Sequence, residues 1–169
     1  MACVSGEVAY NEVTSDVPIT ATGFEMTEIT RVTVPALPYP VYVEWELWAV
    51  ADSNVVSSSN PINTKALAGV VPAAALGPTA LFDAFGVDRV GRGSAGVVTT
   101  GITDADRYIM GLMTEFQNGL HKMGARSRLG PNRPGEYVLA GSCTEGATRL
   151  WHVKADSTYV ASLSVMRGR

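Results

Sequence analysis

The chain is poor in charge, poor in histidine and nearly free of cysteine. Charged residues make up only 17% of its 169 positions, while 46% are hydrophobic; soluble domains usually carry roughly a quarter charged. So apolar a composition excludes disorder as the overall state. The length closes one domain without a metal or a disulfide. A net charge of −3 argues against a generic nucleic-acid binder. The two cysteines, Cys3 and Cys143, form no metal-ligand spacing. They read as free thiols of a protein made in a reducing cytoplasm, with an end-to-end disulfide as the alternative. No positive charge precedes Arg31, so the basic start of a secretory signal is missing. The longest uncharged run, residues 66–82, is interrupted by Pro72 and Gly77-Pro78. A membrane helix needs roughly 20 strongly apolar residues, so no membrane insertion is expected.

The lack of histidine bears on catalysis. His121 and His152 are the only two. They form no H-x-x-x-H pair, and a metal-dependent enzyme on a jelly-roll scaffold would need a larger cluster. Ser94 lacks a nucleophile elbow, because Arg92 stands where glycine is required. Gly91-Arg92-Gly93-Ser94-Ala95-Gly96 spells G-x-G-x-x-G, but the following Val97-Val98-Thr99-Thr100 signals a strand. A dinucleotide site needs a helix there. Asp104 and Asp106 read either as a short cation-binding pair or as a solvated turn beside Arg107. No catalytic residue, metal ligand or cofactor is therefore assigned, and the chain reads as no enzyme.

What is present is β-pattern. Val41, Val43, Trp45, Leu47 and Ala49 alternate with Tyr42, Glu44, Glu46 and Trp48, the period of two of a half-buried strand. Residues 24–34 are rich in Thr, Val and Ile. Pro35, Pro38 and Pro40 would join these two strands by a stiff turn. Residues 136–143, 147–153 and 158–166 read as a three-stranded antiparallel meander with tight turns at 144–146 and 155–157. Residues 108–116 and 120–129 lean to strand, 79–85 is open between helix and strand, and 53–63 reads as a loop. The glycine-rich stretch 87–101 reads as a loop running into a short strand at 97–100. The fold class expected is all-β, an antiparallel two-sheet sandwich, jelly-roll-like, with a Gly-rich middle loop.

Aromatics supply the candidate surface. Tyr39, Tyr42, Trp45, Trp48 and Trp151 lie on or beside expected strands, and a large outward aromatic is an interface anchor, a sugar-stacking platform or a residue covered by its own chain. Charge is also lopsided: residues 1–50 hold seven acidic side chains and one basic, residues 117–169 eight basic and three acidic. Either identical subunits meet acidic face to basic face, or both halves interleave in one fold. Residues 1–20 hold few large apolar groups. Alternation at Val4, Val8 and Tyr10 permits an assembly arm that adds to a neighbour by strand pairing, or simply a first strand; residues 21–169 form the sandwich domain.

The order of these features resembles a known family. The matching positions are Val34-Pro35, Val41 to Val50, Leu129-Gly130-Pro131, Tyr137 to Leu139 and Ala161 to Val165. They are similar to the small jelly-roll-like β-sandwich domains of tail and head-decoration proteins of tailed actinobacterial phages. Ten arginines against three lysines, with many alanines and glycines, suit a high-GC genome. The resemblance implies a virion structural protein, either a minor tail protein or a capsid decoration protein. It implies a homo-oligomer, with a trimer favoured, whose partners are other virion proteins. The alternative is a carbohydrate-binding module whose exposed aromatics meet a host-surface glycan.

Overall fold

Alternation decides where the strands lie. The computed structural model describes residues 6–19, 26–51, 64–73, 82–90, 93–98, 112–116, 120–129, 134–143 and 151–168. Twelve strands appear among them: β1 (Glu7–Val13), β2 (Val17–Ile19), β3 (Thr27–Val34), β4 (Val41–Ala51), β5 (Thr64–Pro72), β6 (Phe82–Val90), β7 (Gly93–Val98), β8 (Leu112–Phe116), β9 (Leu120–Leu129), β10 (Gly135–Cys143), β11 (Trp151–Lys154) and β12 (Ala161–Arg167). No α-helix occurs among the described residues.

Two pairs of these strands are single strands with a break. β11 and β12 lie along the same edge of β4, because β9 occupies the other edge over its whole length. Lys154 lies opposite Trp48 and Ser162 opposite Glu46. The chain thus advances eight positions while β4 advances two, and six residues are looped out. β1 and β2 line the far side of β12 and β11 in the same way, with their break at residues 14–16. Joining the broken strands and setting the β6–β7 ribbon apart leaves eight. The first sheet runs β1/β2, β12/β11, β4, β9, and the second β3, β10, β5, β8. In chain order these are strands one, eight, three, six and two, seven, four, five, the interlocked Greek keys of a jelly roll. The β6–β7 ribbon is inserted between β5 and β8, and β7 lies against both of them.

Three expectations change here. The C-terminal third is no meander: β10 pairs with β3 and β5 in the second sheet, while β11 and β12 are collinear in the first. Short turns resemble hairpin turns in sequence, but here they bridge between sheets or mark a break. β3 and β4 likewise belong to different sheets, so Pro35–Pro40 carries the chain from one sheet to the other rather than closing a hairpin. In the glycine-rich stretch, residues 93–98 pair with β6 as a ribbon. The expected loop at 53–63, the turn at 144–146, the pair Asp104 and Asp106, and Cys3 and Val4 lie outside the described residues.

The core lies between the sheets. Val41, Val43, Trp45, Leu47 and Ala49 from β4 and Ala161, Leu163 and Val165 from β12 are buried, facing Val32, Val34, Val70, Tyr137 and Leu139 of the second sheet. Each fully buried Leu or Val contributes about 1.5–3 kcal/mol over an exposed one. Trp45 and Trp151 are the two largest side chains in it, at 1% and 0% exposure. Trp151 fits because position 141 is glycine. A Cβ there would meet Ile19 Cδ1 at 3.0 Å and the Trp151 ring at 3.1 Å. Its ring therefore rests on the β10 backbone, and Nε1 donates to the Ser142 carbonyl oxygen at 2.9 Å, tying the two sheets. The Trp45 Nε1 is buried and finds no acceptor.

Candidate functional site: the open face of the first sheet

Residues of β4 that point away from the core are Tyr42, Glu44, Glu46, Trp48 and Val50. Strand register sets their neighbours. On the β9 side stand Arg128, Arg126, Gly124, Lys122 and Leu120; on the other side stand Met166, Ser164, Ser162, Lys154 and His152. Beyond β12, Tyr10 lies opposite Ser164 and Glu12 opposite Ser162. This face is open: Tyr42, Trp48, Val50, Met166 and Ser164 are half-buried, and Glu44 and Lys122 are exposed.

At one end of the face Trp48 is the centre. Tyr159, from the looped-out residues between β11 and β12, meets it edge-on with ring centroids 5.5 Å apart. The loop is held by Asp156, whose Oδ1 accepts from the backbone N–H groups of Thr158 at 2.7 Å and Tyr159 at 3.0 Å, while Asp156 N–H donates to the Tyr159 carbonyl at 2.9 Å. Those two N–H groups hold the Asp156 carboxyl below its usual range. Asp16, in the break between β1 and β2, accepts from Ala155 N–H at 3.0 Å, and this contact lowers its pKa first of all. Both breaks are thus stitched together. Lys154 bridges Asp16 at 3.5 Å and Asp156 at 3.2 Å. The hydrogen bond to Asp156 is the main cause of its raised pKa. On the other flank Lys122 pairs with Glu46 at 3.0 Å and stands 5.9 Å from the centre of the Trp48 ring.

The middle and far end are different. The Tyr10 hydroxyl donates to Glu12 at 2.7 Å. Partial burial, then that bond and the charges of Glu12, Glu7 and Glu46, push its pKa up to about 12. At the far end the Arg167 guanidinium lies 4.3 Å from the Tyr39 ring centre. Gly168 N–H donates to the Pro40 carbonyl at 2.8 Å, and a Cβ on Gly168 would come within 2.7 Å of that oxygen. Leu37, Tyr39, Tyr42 and Met166 leave an apolar, half-buried corner here.

The aromatic candidates therefore divide. Tyr39, Tyr42 and Trp48 are at the surface. Trp45 and Trp151 are not: both fill the core, because they fall on the inward phase of their strands. Val8 and Tyr10 belong to β1, paired along β12 in its own sheet, and Val8 packs on the core. The first strand, rather than a free arm, is what these residues form. Asn11 Nδ2 donates to the Arg31 carbonyl at 3.1 Å, tying β1 to β3 across the sheets. The opposite charges of the two ends of the chain meet within one fold, as Glu46–Lys122 and Asp16–Lys154. His152 stands 3.9 Å from Asp16, on the outward row opposite Val50, whereas His121 lies on the inward row opposite Ala49. The sheet separates the two histidines. Tyr159 is not among the aromatic candidates: a strand over 158–166 would put it on one face with Ala161, Leu163 and Val165, whereas it lies in the loop before β12. Among the described residues, no group of three or more His, Cys, Asp or Glu could hold a metal ion, and no helix is long and apolar enough to cross a membrane.

Compared with known proteins, the chain matches no family model and no curated protein.

Proposed function

We propose that the protein is a non-enzymatic structural subunit of a tailed-phage particle, a minor tail or capsid decoration protein that assembles as a homotrimer. The observation that carries this reading is the jelly-roll strand order, an architecture used by viral shells and lectins, together with the phage-like order of motifs in the sequence. Fold alone does not assign function, so the reading also needs a contact surface. The corner of Leu37, Tyr39, Tyr42 and Met166 supplies one: apolar, half-buried and at the edge of the open face. Its apolar side chains are rimmed by charge, with Arg167 against Tyr39, Arg128 opposite Tyr42 and Glu7 opposite Met166, the apolar centre and polar rim of an interface.

The test has two parts. Light scattering on the purified chain at micromolar concentration is expected to give a trimer, and Tyr42→Arg is expected to give a monomer with unchanged circular dichroism. Antibody raised against the chain is expected to label tailed particles in electron micrographs. A monomer that labels no particle sinks the proposal.

A further inference from the structure

We propose that the Trp48–Tyr159 end of the open face binds a neutral pyranose residue of a glycan. The proposal goes beyond the assembly reading and does not depend on it. Tyr42 and Trp48 are six positions apart on β4, about 20 Å of extended chain, so the two surfaces are separate.

Three features of the site match a sugar ring. The first is a half-exposed indole whose position is fixed. Tyr159 abuts it edge-on, and Asp156 fixes the backbone of the loop that carries Tyr159. A pyranose presents an apolar face of C–H groups, and a preset aromatic ring meets it without ordering costs of its own. The second is the pairing of charges around the ring. Trp48 has Lys122 as its cross-strand neighbour on one side and Lys154 on the other. Each ammonium is held to a carboxylate, Lys122 to Glu46 and Lys154 to Asp156 and Asp16. A sugar hydroxyl both donates and accepts. Neighbouring hydroxyls can therefore donate to the carboxylate and accept from the ammonium of one such pair. The third is balance. Two ammonium groups face three carboxylates, so no cation is left over for an anion, and the site favours an uncharged sugar over a uronate. A protein partner fits less well, since a dry interface would have to strip water from these ion pairs, whereas a sugar replaces water hydrogen bonds with its own.

The experiment titrates the full chain with the neutral trisaccharides of glucose, mannose, galactose and N-acetylglucosamine, and with a galacturonic acid trisaccharide. Calorimetry and tryptophan fluorescence are the readouts. At least one neutral trisaccharide is expected to bind with a dissociation constant of about 1 mM or tighter. Trp48→Ala and Tyr159→Ala are each expected to weaken it about tenfold or more, and Trp48→Phe less. Tyr159→Ala lies outside the two sheets, so it keeps the test alive if Trp48→Ala fails to fold. Glu46→Gln reads the polar arm and is expected to lose affinity with the thermal midpoint unchanged. No binding by any neutral probe at about ten times that concentration overturns the proposal. So does wild-type affinity in Tyr159→Ala, or tighter binding of the uronate than of every neutral sugar. Light scattering on the same samples separates the two readings: a monomer that binds sugar sinks the trimer alone.

Discussion

The outer faces of the two sheets are built to opposite rules. On the first sheet, Tyr42, Trp48, Val50 and Ser164 are half-buried among exposed Glu44 and Lys122. On the second, β10 points Val138, Ala140 and Ser142 away from the core, yet all three are 0% exposed. The alternate residues Tyr137, Leu139 and Gly141 face inward, so β10 is buried on both sides. Among the described residues the β3 margin of that sheet is ionic, where Arg31 joins Glu28 at 2.6 Å and Glu136 at 3.4 Å. A strand buried on both faces reads as a continuous apolar run, and Tyr137-Val138-Leu139-Ala140 is such a run. Strand β4 alternates and keeps its charges. Strand β10 is therefore closed on its outer face, whereas the outer face of β4 is open.

The largest expected effect tests that closure directly. Val138→Asp places a charge where no water reaches and is expected to cost about 3–5 kcal/mol in a denaturant titration. Val50→Asp, on the open face, is expected to cost less than half as much. Equal losses would mean the two faces do not differ. Next comes the lock between the sheets. Trp151→Phe removes the indole bond to the Ser142 carbonyl and is expected to cost about 1–3 kcal/mol. Trp45→Phe removes an indole N–H that has no acceptor and is expected to cost less. A reversed order in thermal melts would contradict the inter-sheet bond. Smaller still are the titrations of the open side. Asp16 and Asp156 have lowered values, so their support is complete above the unfolded carboxyl range near pH 4 and fades as pH falls through their folded values. Acid should then loosen Tyr159 from Trp48 while the core stays folded, seen as a fluorescence change that Asp156→Asn reduces. Tyr10 runs the other way. Its raised value means stability is complete below about pH 10 and is lost as pH rises through about 12. Phenolate absorbance should show one late-titrating tyrosine, absent in Tyr10→Phe.

Legibility in the sequence follows the same division. The alternation from Val41 to Val50 named both the buried and the exposed face of β4 correctly, because a period of two is a property of one strand alone. The two-sheet, jelly-roll-like class followed from the number of such strands. Pairing did not follow. Which strand lies beside β10 depends on residues far away in the chain, so a turn such as 155–157 could be read as a hairpin when it is a break within a single strand. The site failed for a related reason. Trp45 and Trp151 were weighed by size as surface anchors although their phase placed them inside. Tyr159 shares the phase of Ala161 by count alone; it belongs to the looped-out residues 155–160, and that loop turns it outward onto Trp48.

That loop has one more consequence. Register with β4 is the same in kind on both sides of it, antiparallel and unshifted within β11 and within β12, so its six residues carry no part of the sheet's pairing. Extra residues inserted after Asp156 would lengthen an ornament rather than shift a strand. The loop is thus a port at which the chain can change what it displays, with the barrel-like frame beneath it left as it is.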